Sequence, residues 1–184
     1  GRERTLPSVQ PPTDGKLLDF CSNDYLGVVS QNLLANALAA HGDWESQGLT
    51  SGATGSRLLS GNSSFHETLE QTAASFHSAP AALLFNSGYC ANLGLLSAVT
   101  SSADAVIYDS RIHASLKDGL KLSGAQGFAF RHNDLDHLEW RLKRLKSKAP
   151  FVLTESINSM SGATLDVART ADLCHRYGAR LVVD

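Results

Sequence analysis

The sequence predicts an α/β protein built on a mostly parallel β-sheet. Short apolar runs alternate along the chain with longer segments that carry a helical apolar period, which is the pattern of βαβ units. With 42% hydrophobic and 18% charged residues, the 184-residue chain has enough apolar material for a core. It has too little compositional bias for a disordered segment or a coiled coil.

The expected elements follow a polar, proline-containing N-terminal arm. A helix is expected at residues 31–41, and residues 47–62, which are rich in Gly, Ser and Thr, form a long loop. Ser63 or Ser64 caps the next helix, and Glu67 is placed for a capping box with Ser64. The helices after this loop are expected at residues 65–77, 89–99, 113–123, 134–147 and 167–177. The strands are expected at residues 17–21, 81–85, 105–109, 127–131, 151–155 and 180–184.

Charge and cysteine content argue against several classes of protein. Sixteen Lys and Arg against eighteen Asp and Glu leave no basic excess for a nucleic-acid partner. No stretch approaches the roughly 20 apolar residues that span a bilayer, and the first residues lack the apolar core of a signal peptide, so a cytoplasmic protein without membrane contact is expected. Cys21, Cys90 and Cys174 form no CxxC pair, so neither a disulfide framework nor a metal site is expected.

The strand at 81–85 is followed by a glycine turn at Gly88 and Tyr89 that opens a helix. Ligands of open α/β sheets bind beyond the carboxyl ends of the strands. Backbone N–H groups and the helix dipole make such a turn a site for an anion, most naturally a phosphate. Taken alone, the segment is more typical of an ordinary strand-to-helix turn.

Four more polar residues follow the later strands at the same predicted edge. His113 follows the strand at 105–109, although a lone His here is more typical of a capping or core residue. Glu155 and Ser159 follow the next buried strand. Asp184 ends an apolar strand, where a buried carboxylate needs a cation or a hydrogen-bond donor as its partner. A protonated pyridine nitrogen and a structural salt bridge both fit. Together these residues indicate an anionic cofactor at the strand ends.

Several segments resemble the α-oxoamine synthase family of pyridoxal-phosphate (PLP) enzymes, which have fold type I. The matching segments are residues 20–27, 51–61, 66–70, 85–92, 109–115, 132–134, 154–162 and 182–184. The resemblance implies the three-layer large domain of that fold with a mostly parallel sheet, incomplete here and preceded by an N-terminal arm. Residues 1–45 would be the arm and first helix of the small-domain part, and residues 46–184 the N-terminal portion of the PLP-binding large domain.

The resemblance also implies roles for individual residues at the cofactor. Gly88 and Tyr89 would give backbone N–H groups to the cofactor phosphate. His113 would stack on the pyridine ring and contact the substrate, and Asp184 would pair with the ring nitrogen, which makes these two the expected catalytic residues. Ser159, with Glu155 nearby, would lie close to the cofactor.

For the substrates, the resemblance places Asn23 near the amino-acid carboxylate and either Arg2 or Arg4 at the acyl group. The implied activity is a decarboxylating Claisen condensation of an amino acid, expected to be alanine, with an acyl-CoA or acyl-carrier thioester in a homodimer. Glycine with acetyl-CoA, serine with a long-chain acyl-CoA, and glycine with succinyl-CoA remain alternatives.

In this family the cofactor-bearing lysine lies beyond the strand that ends at Asp184, so we expect the chain to be the N-terminal half of a synthase. Lys117, one turn after His113, is expected to face solvent. A non-catalytic fragment that binds a partner chain is the alternative from another class. A nucleotide-binding module is a third interpretation, weakened by the absence of either phosphate-loop signature.

Overall fold

The computed structural model describes residues 22–40, 52–145 and 149–184. The chain divides into two compact units, Gly1–Glu67 and Thr68–Asp184. The strand expected at residues 17–21, together with Arg2 and Arg4, lies outside the described residues.

In the first unit, short polar contacts shape the turns before the helices. Helix α1 spans Leu33–Ala40 and α2 spans Ser64–Phe76, across the boundary between the units. At the start of α2, the backbone N–H of His66 donates to the Oγ of Ser63, the residue just before the helix, at 3.5 Å. Glu67 Oε1 accepts from the side-chain amide of Asn62 at 2.8 Å. Ser63 is therefore the residue that contacts the start of α2, and the capping box predicted between Ser64 and Glu67 is wrong because the carboxylate is paired with Asn62.

The second unit contains a four-stranded parallel sheet. Its strands are β1 (Ala105–Asp109), β2 (Gln126–Phe130), β3 (Phe151–Thr154) and β4 (Arg180–Val183), in the order β2-β1-β3-β4. From β1 the chain first adds β2 along one edge of β1, and it then adds β3 and β4 beyond the opposite edge. The strand order therefore reverses between β1 and β3. Ligands of open α/β sheets bind at the carboxyl ends of the strands at such a reversal.

Four helices cover the two faces of this sheet. Helices α3 (Gly88–Val99) and α4 (Ala114–Ser123) pack on one face, and α5 (Leu135–Arg144) and α6 (Val167–Arg176) pack on the other. Successive strand residues alternate between the two cores, since side chains of a strand point to opposite faces. The predicted three-layer α/β architecture is confirmed. The α3/α4 core contains Leu96, Val106, Ile112, Leu116, Leu120, Phe151 and Leu153; the α5/α6 core contains Ile107, Phe130, Leu138, Leu142, Val152, Leu173 and Cys174.

Helices α3 and α4 approach closely at Gly119. A Cβ atom built on Gly119 would lie 3.0 Å from the carbonyl oxygen of Asn92 and 3.1 Å from Leu96 Cβ. The carbonyl oxygen is part of the α3 backbone and the Cβ atom is bonded to it, so neither atom can move aside unless the helix moves. The absence of a side chain at Gly119 sets the distance between the two helices.

The strand predicted at residues 81–85 does not form. This segment has no ladder partner among the described residues, and the side chains of Leu83 and Leu84 are 66% and 45% exposed. The backbone N–H of Leu84 instead donates to Glu70 Oε1 at 2.8 Å. The segment is apolar, but a strand also needs a neighbouring strand with which to form hydrogen bonds. The other predicted elements within the described residues are present and differ only at their ends. Among these helices, none has the length and apolar character needed to cross a bilayer.

Candidate active site

The first turn of α3 presents open backbone donors. Ser87 caps the helix, with its Oγ accepting from the backbone N–H of Cys90 at 3.1 Å. Within the described part of the chain, the N–H groups of Gly88 and Tyr89 have no acceptor. A Cβ atom at Gly88 would meet nothing within 4 Å. This arrangement of donors, open space and helix dipole suits an anion.

His113 lies just beyond β1 and caps α4. Its Nδ1 accepts from the backbone N–H of Ser115 at 3.2 Å and lies 2.7 Å from Ser115 Oγ. The imidazole meets the ring of Tyr89 edge-to-face, with 6.4 Å between ring centroids. The ring remains exposed on its other sides. His113 is therefore held at one nitrogen and open to a ligand elsewhere.

Asp184 is fixed at the end of β4 by the neighbouring strand. Its backbone N–H donates to the carbonyl of Thr154 at 2.9 Å, and its carbonyl accepts from the N–H of Ser156 at 2.8 Å. Its side-chain Oδ2 accepts from Asn92 Nδ2 on α3 at 3.0 Å. The carboxylate is exposed, so it is positioned by the sheet while remaining free to receive a cationic partner.

Glu155 and the loop after β3 form another wall. Glu155 is only 7% exposed, and its Oε2 accepts from the backbone N–H of Ser159 at 3.0 Å. Asn158 organises the same loop, because its Oδ1 accepts from the N–H groups of Met160 and Ser161 and its Nδ2 donates to the carbonyl of Arg111 at 3.1 Å. Glu155 Oε1 is buried without a hydrogen-bond partner among the described residues.

A buried carboxylate behind this wall ties together the turns that follow β1 and β2. Asp109 Oδ1 accepts from the N–H of Arg111 at 2.8 Å and lies 2.9 Å from His132 Nδ1, while Oδ2 accepts from the N–H of Asn133 at 2.8 Å. Asp109 is 3% exposed. A carboxylate so well supplied with donors is stable in the interior. It holds the two turns at the edge of the sheet where the candidate site lies.

These groups surround one cleft with a volume of about 270 Å³. Six residues that the sequence analysis singled out line it: Gly88, Tyr89, His113, Glu155, Ser159 and Asp184. Asn23 is exposed in the other unit, and Arg2 and Arg4 lie outside the described residues. Lys117 is exposed and does not line the cleft, in agreement with its expected solvent-facing position. In the described ranges there is no group of three or more His, Cys, Asp or Glu side chains that could hold a metal ion.

The cleft also contains Asn92 and Ser115, to which the sequence analysis gave no role. A signal for Asn92 was present, since it lies four residues after Gly88 and therefore on the same face of α3. Ser115 lies two residues after His113. At this spacing the side chain of a capping residue, here His113, can accept from the backbone N–H of the later residue.

The chain belongs to the aminotransferase class I and II family, whose model matches residues 15–184. Its resemblance to α-oxoamine synthases is confirmed by its relatives. It is 41% identical, over 93% of its own length, to 8-amino-7-oxononanoate synthase from Alkalilimnicola ehrlichii, of which it covers 43%. The chain thus spans less than half the length of the curated relatives it matches.

Solved structures agree on the fold. A serine palmitoyltransferase variant from S. paucimobilis with a bound PLP–myriocin aldimine has a TM-score of 0.72 and 33% identity, over 85% of this chain and 38% of that one. An 8-amino-7-oxononanoate synthase from Francisella tularensis has a TM-score of 0.71 and 29% identity, over 93% of this chain and 45% of that one. The predicted fold type I of PLP-dependent transferases is confirmed, and the family is PLP-dependent.

Proposed function

We propose that the complete protein is a PLP-dependent acyltransferase that condenses alanine with a pimeloyl thioester to form 8-amino-7-oxononanoate, a step of biotin synthesis. The observation that carries the proposal is the meeting of an anion-binding helix start, an imidazole and an exposed carboxylate in one cleft of a chain of this family. We further propose that it acts as a cytoplasmic homodimer and takes its acyl group from CoA or an acyl carrier.

The residues of the cleft fit pyridoxal phosphate. The N–H groups of Gly88 and Tyr89 would hold the phosphate, since the space beside Gly88 is open and the helix dipole favours an anion. The Asp184 carboxylate, fixed on the sheet edge, would hold the protonated ring nitrogen. The His113 ring would lie against the pyridine. The donor set therefore matches a phosphate, an aromatic ring and a cationic nitrogen in one small molecule.

When bound, pyridoxal phosphate supplies an electron-poor ring that stabilises negative charge at the α-carbon of an amino acid. Asp184 would keep the proton on the ring nitrogen, because a carboxylate at that atom favours its charged form. The His113 ring would cover the pyridine and contact the substrate. Glu155, through its bond to the N–H of Ser159, holds the loop that carries Ser159 against the cleft.

The first experiment gives the complete, PLP-loaded protein a panel of substrates. Alanine, glycine and serine are each combined with pimeloyl-CoA, acetyl-CoA, succinyl-CoA and palmitoyl-CoA, and products are identified by mass spectrometry. We expect 8-amino-7-oxononanoate from alanine and pimeloyl-CoA as the main product. Turnover of serine with palmitoyl-CoA instead would establish the second candidate, favoured by the likeness to serine palmitoyltransferase. No product from any pair would refute the proposed activity.

A second experiment tests the role of Asp184. In the complete protein, Asp184→Asn should lower turnover by about 100-fold or more, the order of loss for a group that stabilises developing charge, and should weaken cofactor binding less. Asp172→Asn is the matched control, because Asp172 is an exposed carboxylate on α6 that does not line the cleft. Near-normal turnover of Asp184→Asn would contradict the assigned role.

A further inference from the structure

A continuous hydrogen-bonded chain joins Asp184 to His113 through two residues to which the proposed function gives no part. Asn92 Nδ2 lies 3.0 Å from Asp184 Oδ2 and also 3.0 Å from Ser115 Oγ. Ser115 Oγ in turn lies 2.7 Å from His113 Nδ1. This series of hydrogen bonds connects three separate elements: the end of β4, the second turn of α3 and the first turn of α4.

The direction of each hydrogen bond follows from the chemistry of its partners. A backbone N–H can only donate, so the N–H of Ser115 at 3.2 Å requires a lone pair on His113 Nδ1. Ionised Asp184 only accepts, so the Asn92 side chain must present its NH₂ group. Asn92 therefore donates to both Asp184 and Ser115 Oγ. The Ser115 hydroxyl, with no solvent exposure to offer another acceptor, gives its proton to His113 Nδ1.

We infer that Asn92 and Ser115 are positioning residues that fix the Nε2–H tautomer of His113 and, through the same amide, orient the Asp184 carboxylate. The role rests on the proposed function, because it concerns the two side chains expected to contact the cofactor ring. With Nδ1 occupied by two donors, Nε2 is the nitrogen of His113 left for a bound molecule, and it carries a proton. His113 thus acts toward substrate as a hydrogen-bond donor, suited to a carboxylate or carbonyl oxygen.

The arrangement has a further consequence for the two ligand-facing groups. A single amide holds both, so a shift of Asp184 is transmitted to the hydroxyl that orients the imidazole.

An N-cap is usually Ser, Thr, Asp or Asn, whereas α4 is capped by His113. The cap serves the helix only while Nδ1 is unprotonated, so the same tautomer that stabilises the start of α4 presents Nε2–H to the cleft.

The test reads the tautomer directly, without cofactor or substrate. Complete apo protein is labelled with ¹⁵N-histidine, and the ring signals of His113 are assigned by their loss in His113→Gln. We expect the neutral wild-type ring to carry its proton on Nε2. The backbone N–H of residue 115 still donates to Nδ1 in Ser115→Ala and Asn92→Leu, so we expect a partial change in which an Nδ1–H population appears beside the Nε2–H form. Ser97→Ala removes an exposed hydroxyl of α3 that bonds within its own helix, and it should leave the ring unchanged.

Activity of the loaded protein supplies the second measurement. Turnover should fall by about 10- to 100-fold in Ser115→Ala and Asn92→Leu, as when a group that orients a ligating His is lost, and Ser115→Thr should recover most of it. Circular dichroism and melting curves select variants that remain folded, and Asn92→Asp serves as a second variant at that position. An Nδ1–H tautomer in the wild type, or unchanged tautomer in the folded variants, would overturn the inference. If the tautomer shifts in the variants but the wild-type protein turns over no substrate, the positioning role is supported and the proposed function is rejected.

Discussion

The hydroxyl of Tyr89 donates a hydrogen bond to the carboxylate of Asp118, joining α3 to α4 beside the cleft. The bond raises the pKa of Tyr89 above its ordinary value of 10.0 and lowers the pKa of Asp118 below 3.8. The hydrogen bond therefore stabilises the folded protein fully when the pH is above 3.8, the ordinary pKa of the carboxyl group. This stabilisation is lost as the pH falls through the lower pKa that Asp118 has in the folded protein. At the alkaline end it is lost as the pH rises through the raised pKa of Tyr89.

We predict that Asp118→Asn returns the pKa of Tyr89 toward 10.0, because the negative acceptor is removed. Tyrosinate absorbance titration of the complete protein measures this, and Tyr89→Phe identifies the contribution of that residue. Because Tyr89 also meets the His113 ring, PLP should bind more weakly to Asp118→Asn. An unchanged Tyr89 titration in Asp118→Asn, compared with the control Asp172→Asn, would show that the hydrogen bond does not form.

Burial raises the pKa of the Cys174 thiol from 9.0 to about 11. Between these two values the unfolded chain loses the thiol proton while the folded protein keeps it, so the free energy of unfolding falls as the pH rises. Over two pH units this effect reaches at most about 3 kcal/mol. Urea unfolding of the complete protein from pH 8 upward should show a shallower alkaline decline in Cys174→Ala than in the wild type.

Cys90→Ala is the control for this prediction, because Cys90 is exposed and Cys174 is buried. The absolute stability of Cys174→Ala falls at every pH through the cavity it leaves, so the comparison concerns the slope alone. Parallel slopes for the wild type and Cys174→Ala would contradict the assignment.

Asn158 should be required for the conformation of the loop that carries Ser159. It is 3% exposed, and its Oδ1 accepts from two backbone N–H groups and from the Ser161 hydroxyl. Asn158→Ala leaves those donors and the Arg111 carbonyl unpaired, which costs about 1–3 kcal/mol for each group that stays buried. We expect a lower melting temperature and faster proteolysis within residues 156–163. Ser161→Ala, which removes one of these bonds, should have a smaller effect, and equal effects of the two variants would argue against the central position of Asn158.

The close approach of α3 and α4 predicts that Gly119→Val separates the two helices. The new side chain would press against the carbonyl of Asn92 and against Leu96, and overpacking of this kind costs about 1–3 kcal/mol. Because Asn92 and Ser115 lie on the separated helices, their hydrogen bond should lengthen and the His113 tautomer should change with it. Leu122→Val places a β-branched residue on the exposed side of α4 and should cost only helix propensity. A wild-type melting temperature for Gly119→Val would contradict the prediction.

The sequence was informative where a local pattern is sufficient to determine structure. The strand predicted at 105–109 and observed as β1 is an example, because an apolar run between helices is buried on both faces. The strand expected at 81–85 failed because pairing depends on a distant partner, which composition does not reveal. Four cleft residues, His113, Glu155, Ser159 and Asp184, were found from the rule that parallel strands end at one edge. Gly88 and Tyr89 were found from the glycine turn that opens a helix, although the strand expected before that turn is absent among the described residues. The spacing from Gly88 indicates which face of α3 carries Asn92, but not its pair of hydrogen bonds to residues on two other elements, because no local pattern contains that relation.

The hydrogen bond between Asn92 and Asp184 spans 92 positions of the chain. Closing so long a loop costs conformational entropy before any contact is gained, and such non-local contacts slow folding. In the folded chain Asp184 is held beyond β4 by backbone hydrogen bonds to Thr154 and Ser156, and from there its carboxylate reaches α3. Asp184 and the amide of Asn92 are therefore brought together by tertiary contacts alone, so the ability to hold a cofactor becomes a reporter of how far folding has advanced.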